Sequence, residues 1–148
     1  MNNEKFKIKC KKIVGGITSG KLLVSEQSIN FLAMIDIKTG KITDKNHKLN
    51  SQTLKNSILI FPNAIGSSVG AYTIFSLKNN NTSPNGIICT NSVDITTASG
   101  CAISNIPLVF IEKKENEYLN KNRNGNMDII LDADNGCIIL NITNNKSI

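Results

Sequence analysis

Tryptophan is absent from this 148-residue chain, and it has a single histidine, His47. One imidazole cannot build a multi-histidine metal site. The four cysteines, Cys10, Cys89, Cys101 and Cys137, are far apart and form no Cys-x-x-Cys pair. No zinc or cluster spacing is present, so no metal is expected on this chain. Cys89 and Cys137 sit in apolar, strand-like runs and read as buried, reduced thiols of a reducing compartment. Aromatic residues are only 5% of the chain. The 17 lysines and arginines against 11 acidic residues give a net charge of +6, yet they are scattered and not interleaved with aromatics. That pattern argues against a nucleic-acid partner and suits an anionic small molecule or an acidic partner subunit. No apolar run approaches a membrane span, and residues 1–12 are polar and basic without the apolar core of a signal peptide. A cytoplasmic protein with no membrane attachment is expected.

What is present is a succession of short strands. Phe6 to Ile13 alternates apolar and basic residues, as a half-buried strand does. Gly15-Gly16 breaks it, Gly20 marks a second turn, and Lys21 to Ser25 is a short strand. Asp36 to Ile42 reads as a hairpin closing on Gly40. Leu54 to Phe61, Gly86 to Thr90 and Pro107 to Ile111 read as strands; Ala71 to Lys78 and Asp94 to Cys101 read as helices. Glu112 to Asn126 reads as a charged connection. Met127 to Asp132 and Cys137 to Leu140 flank Asn135-Gly136, a hairpin signal. The pattern predicts one α+β domain over 1–148, with a closed or nearly closed β core, packed helices, and fraying at 1–5 and 143–148.

The segment from Ile58 to Tyr72 carries the chemistry. An apolar run ends at Phe61, passes through a small-residue loop, Gly66-Ser67-Ser68-Val69-Gly70, and enters a helix. Such a turn collects free backbone N–H groups and two hydroxyls at the positive end of a helix dipole, which suits a carboxylate or phosphate. The plainer alternative is a tight connection with serine as helix cap. The loop is read neither as a P-loop, since it lacks Gly-Lys-Ser/Thr, nor as a hydrolase elbow. His47, within Asp44 to Lys48, is read as an exposed loop residue. A serine with no local base points to a site completed by another polypeptide.

Several ordered stretches together resemble the small subunit of the aconitase X family, whose archaeal members are phosphomevalonate dehydratases. They are Val14-Gly15-Gly16 with Gly20; Val24-Ser25 with Ser28-Ile29-Asn30-Phe31; Asp36 to Gly40 followed by Ile42-Thr43-Asp44 and His47; Gly66 to Tyr72; Ala98 to Ile103; and Ile106 to Val109. The resemblance implies a swivelling β/β/α domain, barrel-like with flanking helices, matching the mobile C-terminal domain of aconitase. It implies a heterodimer with a large subunit bearing an iron–sulfur cluster, [4Fe-4S] in the expected form. The pair would remove water from mevalonate 5-phosphate, giving trans-anhydromevalonate 5-phosphate for isoprenoid synthesis. It casts Ser67 as proton acceptor and Gly66, Ser68, Val69 and Gly70 as substrate or anion ligands. Ile65 stands where the family often has arginine, and Asp94 matches a family aspartate that would equally serve as a helix cap. The alternatives are a relative dehydrating another hydroxy acid, such as 3-hydroxyproline, and a non-catalytic binding module.

Overall fold

Ile58, Leu59, Ile60 and Phe61 are all buried, and they alternate between two separate cores: Ile58 and Ile60 in one, Leu59 and Phe61 in the other. A strand covered on both faces needs no polar positions, which is why it reads as an unbroken apolar run. The computed structural model describes residues 2–144. In these residues the chain runs β1 (Asn2–Lys9), β2 (Lys11–Val14), β3 (Ile17–Val24), α1 (Phe31–Met34), β4 (Ser57–Phe61), α2 (Gly70–Asn79) and β5 (Gly86–Cys89). It continues with α3 (Ile95–Ser104), β6 (Leu108–Phe110), α4 (Lys113–Asn122), β7 (Asp128–Asp132) and β8 (Cys137–Asn144).

The strands form one mixed sheet in the order β1-β8-β7-β3-β4-β5-β6-β2. β3 to β6 are parallel, while the remaining pairings are antiparallel. β1 and β2 occupy opposite edges, although only Cys10 separates them in sequence. In a flat eight-stranded sheet those edges would lie about 34 Å apart. Two residues flanking a third span at most about 7 Å. The sheet therefore curls until its edges meet at Cys10, whose N–H donates to Gly136 O at 2.9 Å. One core lies between the parallel strands and α1–α3. The other fills the curl under β1, β7, β8 and α4, with Leu119 wholly buried in it. The α+β, barrel-like architecture expected from the sequence is the one observed.

Five details differ from the sequence reading. The run Phe6 to Ile13 is two strands on opposite edges. Gly20 lies inside β3 rather than in a turn; a Cβ there would sit 2.6 Å from Asn56 O, so close approach of a neighbouring backbone is what requires glycine. The connection after β6 contains α4, and Phe31–Met34 forms the short α1. Residues 2–5 and 143–144, expected to fray, form the end rungs of the β1–β8 ladder, and the rest of that expectation lies outside the described residues.

Candidate functional site

Parallel strands end on the same side, so the segments leaving β3, β4 and β5 converge at one edge, the usual position of ligand crevices in such sheets. Here they are laced together. Ala64 bridges Ile29, and Ile65 N–H donates to Ile29 O at 3.0 Å. Ala64 N–H donates to an Asp94 carboxylate oxygen at 2.8 Å, and Asn91 N–H donates to Pro62 O at 3.0 Å. Gly66, at φ +91°, turns the β4–α2 segment outward. A Cβ on Gly66 would lie 2.6 Å from Asn30 Cγ, so glycine is required by both conformation and space.

The following serines are exposed at the rim. Ser67 Oγ accepts the Val69 N–H at 3.2 Å, while Ser67 O and Ser68 O accept the N–H groups of Gly70 and Ala71 at 3.0 and 3.1 Å. The first turn of α2 is thus satisfied by loop carbonyls, and its cap residue, Val69, makes no side-chain cap bond. Among the described residues the N–H groups of Gly66, Ser67 and Ser68 donate to no protein acceptor. The free donors expected at the helix start therefore lie one turn earlier. Of the anticipated anion ligands, Gly66 and Ser68 offer free N–H groups, whereas those of Val69 and Gly70 are used within the loop. These three consecutive amides are left with unspent donors beside an exposed hydroxyl, and such donors suit an anionic oxygen.

The family model for the aconitase X swivel domain matches residues 7–140. The chain belongs to the aconitase X swivel domain family. It is 42% identical to the phosphomevalonate dehydratase small subunit of Methanococcoides burtonii over 104 residues, covering 70% of this chain and 75% of that one. It is 38% identical to the phosphomevalonate dehydratase small subunit of Thermococcus kodakarensis over 131 residues, 88% of this chain and 93% of that one. The crystal structure of Thermococcus kodakaraensis aconitase X in its holo-form superposes with a TM-score of 0.80 at 37% identity, covering 91% of this chain and 98% of that chain.

Other residues of this swivel domain sit differently from their sequence reading. His47 is only 5% exposed rather than a solvent-facing loop residue. Its Nδ1 accepts the Leu49 N–H at 3.0 Å, so that nitrogen carries a lone pair, and Nε2 faces Ser25 Oγ at 3.4 Å. The spacing of Gly66-Ser67-Ser68-Val69-Gly70 does spell the Gly-x-Ser-x-Gly of a hydrolase elbow about Ser68. The lone histidine is engaged at Ser25, so this chain supplies no second imidazole to serve as a base for Ser68. Asp94 caps α3 through Thr97 N–H at 2.8 Å and Thr97 Oγ1 at 2.9 Å while holding Ala64. Both oxygens of its carboxylate are thus engaged in structural bonds.

Cys89 and Cys101 are buried. Burial, aided by the nearby Asp94 carboxylate, pushes the Cys89 thiol up to about 12. Burial likewise raises half-buried Cys10 to about 12, with Cys137 and Asp132 adding to the effect. Among the described residues no group of three or more His, Cys, Asp or Glu side chains is placed to hold a metal ion, and no helix is long and apolar enough to cross a membrane.

The sequence reading assigned no role to the surroundings of the loop. A Cβ on Gly70 would meet Thr96 Cγ2 at 3.0 Å, Phe31 Cβ at 3.6 Å and Leu32 N at 3.9 Å, so the starts of α1, α2 and α3 meet there. Around them Leu32, Ile65, Val69, Tyr72 and Ile95 are exposed, Tyr72 at 68% and Ile95 at 75%. From Pro62 to Leu77, and again from Ile95 to Pro107, no residue is charged. In so lysine-rich a chain, that gap in the charge pattern was the available signal.

Proposed function

We propose that this chain is the small subunit of a two-subunit hydro-lyase that dehydrates mevalonate 5-phosphate to trans-anhydromevalonate 5-phosphate. The observation that carries the reading is Ser67, exposed between unpartnered amides, in a chain whose relatives are named phosphomevalonate dehydratase small subunits. In this reading Ser67 Oγ takes the proton from the carbon beside the substrate carboxylate. The C–H electron pair becomes the new double bond and the hydroxyl leaves the neighbouring carbon with the C–O pair; one proton taken up by it, balancing the one lost from carbon, completes the water and restores the base. Serine is a usable base only where donors or cations stabilise its developing charge. The N–H groups of Gly66, Ser67 and Ser68 support that role, and Gly66 and Ser68 would hold a substrate anion, with Val69 and Gly70 shaping the turn.

The rest of the site comes from a large subunit. The iron–sulfur cluster that the family resemblance implies has no fitting ligand set among the described residues of this chain, so it belongs to that partner in this reading. The exposed apolar rim around the loop supports docking at this face, because burying it removes apolar surface from water and encloses Ser67.

Co-expression with the large subunit, purified without oxygen, tests the reading. Mevalonate 5-phosphate should disappear with stoichiometric formation of the anhydro product, and neither subunit alone should do this. An assembled complex that leaves mevalonate 5-phosphate intact and dehydrates a different hydroxy acid would overturn the substrate assignment. One that dehydrates nothing would overturn the enzyme assignment.

A further inference from the structure

We infer that Asn30 is a substrate-binding residue whose side-chain amide joins the N–H groups of Gly66 and Ser68 around the substrate carboxylate. The inference rests on the dehydratase reading for its substrate. Asn30 is held from several directions. Its carbonyl accepts the Met34 N–H at 2.8 Å, its own N–H meets Met34 Sδ at 3.5 Å, and the preceding Ile29 is bridged to Ala64. Its Oδ1 accepts the Ala33 N–H at 3.1 Å, capping α1. With Oδ1 so engaged, the free end of the amide is Nδ2. It is the atom nearest the position a side chain on Gly66 would occupy, nearer than Cγ at 2.6 Å or Oδ1 at 2.8 Å. Among the described residues Nδ2 donates to no acceptor. A cap alone needs only the oxygen, which serine or aspartate supplies equally well. The amide therefore presents a fixed, unspent donor one residue from Ser67.

The reaction decides which end of the substrate this donor meets. The proton that Ser67 removes sits on the carbon bonded to the carboxylate, whereas the phosphate lies at the far end of the molecule. A base and its adjacent donors thus share the carboxylate. As the proton leaves, negative charge spreads into that carboxylate, so a donor placed there binds the transition state more tightly than the ground state.

The test uses the assembled two-subunit complex with Asn30→Ser and Asn30→Asp. Both keep an oxygen to cap α1, and Asn30→Asp also puts an anion where the donor stood. Calorimetric binding of mevalonate, which has the carboxylate and no phosphate ester, is compared with binding of inorganic phosphate. In Asn30→Ser, mevalonate should bind about tenfold more weakly with phosphate affinity within about twofold and the melting temperature unchanged. Asn30→Asp should weaken mevalonate further, and kcat/KM for mevalonate 5-phosphate should fall about tenfold to a hundredfold. Unchanged mevalonate affinity in both variants, or no mevalonate binding by the wild-type complex, would overturn the inference. So would losses that only track a lowered melting temperature. Weakened phosphate with intact mevalonate would overturn the carboxylate assignment. A wild-type complex that binds mevalonate but dehydrates nothing would count against the dehydratase reading alone, and the binding comparison would still judge Asn30.

Discussion

At the residue scale, the structural part of Ser67 is small, so the chemistry proposed for it can be tested separately. Its hydroxyl accepts only the Val69 N–H, and the start of α2 is held by backbone carbonyls. Ser67→Ala should therefore cost less than the roughly 1 kcal/mol of a true cap. Turnover of the complex should fall about a thousandfold or more, with assembly intact. Steady-state kcat and the melting temperature of the same preparation decide it; near-normal turnover with a lowered melting temperature would reduce Ser67 to a structural residue. Asp94 should behave in the opposite sense. Asp94→Ala strands the N–H groups of Ala64 and Thr97 together, which should destabilise the domain by about 2 kcal/mol. Thermal unfolding of the isolated chain is the measurement, and no loss of stability would contradict the brace. The exposed serine loop ahead of α2 was legible in the sequence because a short string of small residues carried it. Asn30 was visible as part of an ordered family stretch, but its role depends on Gly66, thirty-six positions away, and no local pattern records that contact. His47 failed for a related reason: a polar neighbourhood in sequence says nothing about what folds over it.

At the scale of elements, the strands that read most clearly are those buried on both faces, β4 and β5, and the hairpin β7–β8 with Gly136 at positive φ. α4 escaped because only Tyr118 and Leu119 among its ten residues are apolar, too few to set a helical period. It is held by Leu119 in the core and by the Tyr118 ring, 6.2 Å from that of Phe6. The site, by contrast, depends on how α2 sits against α3. Gly100 permits that packing: a Cβ there would lie 2.7 Å from Ile74 Cδ1 and 2.9 Å from Ile74 Cβ. Gly100→Ala forces the two helices apart and should cost about 1–3 kcal/mol. Because the start of α3 is tied through Asp94 to the serine loop, activity should fall more than stability alone predicts. Comparing kcat at a temperature where the variant is fully folded checks this; unchanged kcat would show that the loop ignores helix spacing.

At the scale of the whole molecule, the proposed docking of the large subunit onto the apolar rim around Ser67 is open to test. A charge placed there should weaken assembly without unfolding the domain, since Tyr72 and Ile95 are exposed. Tyr72→Glu should shift the complex toward free subunits in size-exclusion chromatography at micromolar concentration, with the circular dichroism spectrum of the small subunit unchanged. A complex of wild-type affinity would move the interface to another face.

The meeting of β1 and β2 at Cys10 has a consequence for how the chain is made. On the ribosome, residues 2–9 emerge more than a hundred residues before their hydrogen-bonding partner, residues 137–144. At about 5–20 residues per second, β1 waits many seconds as a bare edge. Its lysines at positions 5, 7 and 9 are then the charges that keep a waiting strand from pairing with another nascent chain. The same residues that make the mature surface basic would act earlier as gatekeepers, and the rate at which this domain matures would be set by closure of its first strand onto its last.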